Sequence, residues 1–178
     1  MAGHVGGSGV GDGRLDPPVS APAGFGSHAV RERLRRLGFE LSPPLPAKGR
    51  YAATRRVGPL LFVSGHTGRT AQAPALTGIV GADIDVAAAQ ESARLAAVNL
   101  LSAVEDAVGL ESASLVHLRG YVRAHPDFAE HPRVVDAASE LLSEVLADER
   151  AHARAALGVS SLPGGAVVEL EAVFEVGQ

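Results

Sequence analysis

Apolar positions recur along this chain at two spacings, and each change of spacing marks a change of element. In HAVRERLRRL, Val30, Leu34 and Leu37 fall on one helical face with arginines opposite, and Gly38 follows as a stop. RYAATRRV and LLFVSG, separated by Gly58-Pro59, read as a β-hairpin. A long helix is predicted from Val86 to Val108, with Ala93, Ala97, Leu100, Val104 and Val108 along one face and Gly109 after it. SLVHLRGYVR alternates as a strand, with Val116, Leu118, Gly120 and Val122 pointing one way and His117, Arg119, Tyr121 and Arg123 the other. Asp127-Phe-Ala-Glu130 fits a capping box for the next helix, whose buried stripe is Val134, Ala138, Leu141 and Val145. Pro132 falls in its first turns. HARAALGVSSLPGGAVVELEAVFEV closes the chain as two strands around a Pro-Gly-Gly turn.

The order helix, β, β, helix, β, helix, β, β predicts an α+β two-layer sandwich, one sheet covered on one face by two long helices. The other face is half polar, with Leu115, Tyr121, Val167 and Val173 expected on it, a pattern that favours self-association. Residues 1–27 carry much of the glycine and proline without hydrophobic period and read as a flexible tail. Residues 28–49 form the first helix and a proline-rich linker, and 50–178 the core domain.

Composition narrows the chemistry. The chain has 178 residues, one domain by size, with 46% hydrophobic and 20% charged residues. Aromatics are 4% with no Trp, and net charge is −4, so neither stacking platforms nor a basic field recruit nucleic acid or membranes. No Cys is present, which removes disulfides, thiolate nucleophiles and zinc-thiolate centres. With no signal-like start and no membrane-length apolar run, a cytoplasmic location is expected.

On the closing strands, Ala155, Leu157 and Val159 are expected on the apolar side, as are Val168, Leu170, Ala172, Phe174 and Val176. Arg154 would then share the polar face with Glu169, Glu171 and Glu175, near Glu171 and diagonal to Glu169 across a hairpin. Two readings are open: a solvated cross-strand ion pair, or an arginine fork for a carboxylate beside a water-orienting glutamate. Spacing alone favours the ion pair. His125, Asp127 and His131 lack helix-borne metal spacing and fit a loop feeding a helix cap, so no metal is expected. Ser64 and His66 in FVSGHTG lack a nucleophile elbow.

The series LLFVSG, Gln90 with Asn99-Leu100-Leu101, YVRAHPDF, and RAALGVSSLPGGAVVELE resembles the YjgF/YER057c/UK114 (Rid, endoribonuclease L-PSP-like) family from about Tyr51 to Val176, in its subgroup with an N-terminal helix. The resemblance implies a chorismate-mutase-like fold assembled as a homotrimer, with three clefts between subunits. It implies an imine deaminase without cofactor, acting on a small carboxylate-bearing metabolite. Arg154 would grip the substrate carboxylate, Glu169 position the attacking water, and the Ala156 backbone help hold it. Tyr51, Ser64 and Gly65 would line the cleft. A non-catalytic carboxylate-binding trimer and a ribonuclease or translation inhibitor are the other readings. Two family positions differ: Ala156 stands where Cys is common, and Pro132 where Asn is common in the deaminase branch.

Overall fold

The computed structural model describes residues 27–47, 49–148 and 150–177. The elements follow as α1 (His28–Arg36), β1 (Thr54–Val57), β2 (Leu60–Thr67), α2 (Val86–Val108), β3 (Ala113–Arg123), α3 (His131–Leu146), β4 (Ala153–Val159) and β5 (Val168–Val176). The strands form one mixed sheet in the order β1-β2-β5-β3-β4, antiparallel except for the parallel β3–β4 pair. Helices α2 and α3 pack together over one face of it. This is the chorismate-mutase-like α+β sandwich. The proposed tail falls outside the described residues but for Ser27, which caps α1 by accepting from the Val30 amide at 3.3 Å.

Local signals start and stop the helices. Asp85 caps α2 by accepting from the Ala88 amide at 2.8 Å, and Gly109 ends the helix with φ of 80°, a conformation costly for a side chain. Helix α3 begins at His131, with Pro in its first turn and no side-chain cap from Glu130. The expected capping box from Asp127 therefore does not form: the chain turns at Asp127, and the proline's fixed φ starts the helix instead. Helix α1 buries Val30 and Leu34, packs on α3, and sends Arg33 Nη1 to the Val145 carbonyl at 2.9 Å. That carbonyl belongs to the last turn of α3, where the helix leaves acceptors open.

The core lies between sheet and helices. Leu61, Leu118, Leu170 and Phe174 from the sheet meet Leu100, Leu101, Val134 and Leu142 from the helices, all essentially inaccessible. Burying each such side chain contributes about 1.5–3 kcal/mol. Gly120 lets α3 approach, because a methyl group there would sit 2.6 Å from a Val135 methyl.

Two bulges revise the expected alternation. Between Leu115 and His117 the β3–β5 register shifts, so Leu115 pairs with Phe174 and turns into the core, while Val116 is the extra, exposed residue. Val167, also expected on the open face, is fully buried. A second shift, between Val63 and His66 on β2, places Ser64 and Gly65 in the bulge. The larger correction concerns the end of the chain. β4 and β5 are not a hairpin: β3 lies between them, and Pro163–Gly165 forms a 3₁₀ turn along the crossing. Arg154 pairs with Leu118 and stands on the helix-covered side, whereas Leu157 pairs with Tyr121 on the open side and is 45% exposed.

Candidate functional site

The open face of the sheet carries a row of side chains fixed by register. Glu169 on β5 lies between Thr67 on β2 and Tyr121 on β3. One step along, Glu171 faces Arg119 and forms an ion pair with it. Glu175 reaches Arg150 at 3.5 Å. Two of the three predicted acids are therefore neutralised. Glu169 has no hydrogen-bond or ion-pair partner among the described residues. Burial pushes its carboxyl above the ordinary range, and repulsion from Glu171 adds to that.

The β2 bulge explains why Glu169 can lie there. A methyl on Gly65 would overlap the Glu169 carboxylate, so only glycine admits the acid against the backbone. The neighbouring Ser64 spends its hydroxyl on the Ala52 carbonyl at 2.8 Å, and its amide donates to Ala53 at 2.9 Å. These two bonds fasten the segment carrying Tyr51 beside the bulge. They also leave the Ser64 hydroxyl committed to backbone rather than to His66. His66 points to the other side of the sheet, opposite Leu170, with Nε2 buried and unpartnered among the described residues. Burial first, and Arg69 second, lower its pKa to about 4, so the ring is neutral.

Tyr51, Ser64, Gly65 and Glu169 thus line one recess of about 140 Å³. Leu45 and Ala47 of the proline-rich linker form another wall, with Pro163 and Gly164 opposite. Arg69 Nη2 donates to the Pro46 carbonyl at 2.9 Å and ties the linker down. From α2, Asn99 Nδ2 donates to the carbonyls of Thr67 and Arg69, at 2.7 and 2.8 Å, and fixes the backbone beyond β2. The volume suits a small metabolite and falls below the range typical of larger ligands.

Arg154 and Ala156 are elsewhere. Both lie on β4, an edge strand separated from β5 by β3. Arg154 Nη1 donates to Asp136 Oδ1 at 2.6 Å and to Ser139 Oγ at 3.1 Å, both on α3. Ala156 faces Gly120 and packs at the core margin. The six predicted residues therefore divide into a recess set and an edge-strand set.

Comparison with known proteins gives this division its context. The family model for endoribonuclease L-PSP matches residues 42–176, most of the chain. The chain belongs to the endoribonuclease L-PSP family. Protein TCP17 of Trypanosoma cruzi is 34% identical over 153 residues, 84% of this chain and 96% of its own. A crystal structure of an Agrobacterium tumefaciens protein is 37% identical with TM-score 0.75, covering 84% of this chain and 93% of that one. A Shewanella oneidensis structure is 27% identical with TM-score 0.77, covering 83% and 99%. Within this L-PSP-family chain, the contributors to the recess that sequence reading missed include Arg69, Thr67, the linker residues Leu45 and Ala47, and the Pro163-Gly164 turn as a wall. Arg69 carried a usable signal, a lone arginine immediately after the FVSGHTG segment. The linker carried none, because its place on the recess is set by tertiary contact.

Proposed function

We propose that this protein hydrolyses reactive 2-imino acids, of the kind formed from 2-aminoacrylate, to 2-oxo acids and ammonia in clefts between the subunits of a homotrimer. The observation that carries the reading is the unpaired, half-buried Glu169 carboxylate held against Gly65 in a small recess. A raised carboxyl pKa makes it a stronger base than an ordinary glutamate. Glu169 accepts a proton from water as the water oxygen attacks the imine carbon, and returns it to the imine nitrogen to give a carbinolamine. Glu169 then takes the carbinolamine hydroxyl proton and passes it to the amine, so that a carbon–oxygen double bond forms as the carbon–nitrogen bond breaks and ammonia leaves with the carboxylate restored. Water and imine account for every atom of product.

The anion clamp is supplied by Arg154 of a neighbouring subunit. Its Nη1 is held by Asp136 and Ser139, and its Nε and Nη2 have no partner among the described residues, which leaves one edge of the fork for a carboxylate. The uncovered sheet face supports association, with Phe62 and Leu157 each 45% exposed on it.

The test couples the protein to a dehydratase that releases 2-aminoacrylate and follows 2-oxo acid formation. Arg154→Ala and Glu169→Gln are each expected to be inactive, and mixed trimers of the two to regain activity through clefts that join an intact Arg154 to an intact Glu169. Mixed trimers without activity would sink the intersubunit cleft. Failure of the wild type to accelerate the reaction, with saturable 2-oxobutyrate binding, would leave a carboxylate-binding trimer. RNA cleavage lost on Glu169→Gln would replace both readings.

A further inference from the structure

The recess beside Glu169 contains a charged side chain that the proposed hydrolysis leaves without a chemical task. Arg69 lies just past the end of β2, half-buried, and no described carboxylate forms an ion pair with it. Its backbone is fixed from two directions. Asn99 donates to its carbonyl, and Gly68 beside it lies so close to α2 that a methyl there would sit 2.8 Å from the Ser92 carbonyl. One guanidinium nitrogen donates to the Pro46 carbonyl, which restrains the side chain before any ligand arrives. A cation oriented this way costs little further ordering when it binds an anion.

Its position is specific. Thr67, Arg69, Pro163 and Gly164 line both the Glu169 recess and a wider groove of about 380 Å³ formed with residues 70–75. Arg69 therefore stands where the two spaces join. It makes no ion pair with Glu169 although both line one recess, so base and cation occupy separate walls. A molecule reacting at Glu169 can extend toward Arg69 without displacing either group.

We propose that Arg69 binds a second, distal carboxylate, and that the preferred substrates are dicarboxylic 2-imino acids. This rests on the imine-hydrolysis reading, in which Arg154 of the neighbour takes the carboxylate next to the reacting carbon. Amino-acid-derived imines with an acidic side chain carry the second anion on the carbon chain leading away from that centre. A fully aliphatic substrate would leave Arg69 facing solvent and the wider groove unused.

Calorimetric titration of the full chain with 2-oxobutyrate and 2-oxoglutarate, stable analogues of the two product classes, tests it. The wild type is expected to bind 2-oxoglutarate about tenfold or more tightly than 2-oxobutyrate, as a charge-assisted contact would give. Arg69→Gln is expected to bring that ratio near one, and Arg69→Lys to restore part of it. The ratio separates recognition from a structural role, since loosening of the Pro46 wall weakens both ligands together. A ratio preserved in Arg69→Gln, or no preference in the wild type, overturns the Arg69 inference. If 2-oxobutyrate still binds and Arg154→Ala abolishes that binding, the hydrolysis reading stands without it. Binding of neither ligand overturns both.

Discussion

Protonation of His66 should contribute to the acid sensitivity of this fold, as should that of His152, whose pKa burial also lowers. The His66 ring sits on the core side of the sheet opposite Leu170, with Nε2 buried and unpartnered among the described residues. Burial, with a smaller effect from Arg69, brings its pKa from 6.5 to about 4. The folded protein therefore binds the proton more weakly than the unfolded chain. Stability is complete above the unfolded value and is lost as pH falls toward the folded one. Between pH 7.5 and 4.5 the two values correspond to a loss of about 2.5 kcal/mol. Glu169 acts in the opposite sense: its raised pKa means that acidification through that value stabilises the fold. The comparison is therefore made in a Glu169→Gln background, at one protomer concentration so that association does not contribute. Urea unfolding at both pH values should show a midpoint drop of about 1–2 M for Glu169→Gln. The double variant with His66→Gln, which keeps polarity without titrating there, should lose about 2.5 kcal/mol less over that interval. Equal losses with and without His66 would refute the reasoning.

Two further substitutions probe the recess. Gly65→Ala places a methyl where the Glu169 carboxylate lies, so imine hydrolysis should fall about 100-fold through displacement of the base, measured as kcat in the coupled assay with the thermal midpoint as control. Asn99→Ala removes the donors to the Thr67 and Arg69 carbonyls and should cost about 1–3 kcal/mol by calorimetry. Asn99→Asp should cost more, since it sets a carboxylate against both carbonyl oxygens.

Much of the fold was legible because its long elements repeat a strong pattern. The expected bounds of α2 match the observed ones, and the alternation of Val168, Leu170, Ala172, Phe174 and Val176 puts each of them in the core. The hairpin at Gly58-Pro59 forms as read, with Val57 opposite Leu60 and Gly58 at φ of 59°. The bulges at Ser64-Gly65 and Val116 were not legible. A bulge adds one residue to the count without changing residue type, so alternation carries on across it in the sequence while the chain has changed face. β4 was misread for a related reason. Ala153, Ala155 and Ala156 fit either face, and Leu157 with Val159 set the expected inward side, yet an edge strand can leave a leucine on the open side.

The closing motif places Arg154 and Glu169 close together in sequence, which makes a hairpin and a local ion pair the simplest reading of it. The topology removes that reading. β3 enters between the strands, Arg119 takes the place across from Glu171 that Arg154 was expected to hold, and Arg154 turns to Asp136 on the covered side. Each arginine neutralises an acid, and Glu169 is the acid that remains. A solvated charge ladder has no need of a glycine that opens space for one carboxylate, or of burial that raises its pKa at a cost to stability. Those two features favour a site at Glu169, and with Arg154 two strands away and turned to Asp136 on the covered side, the proposed cleft takes its two groups from different copies.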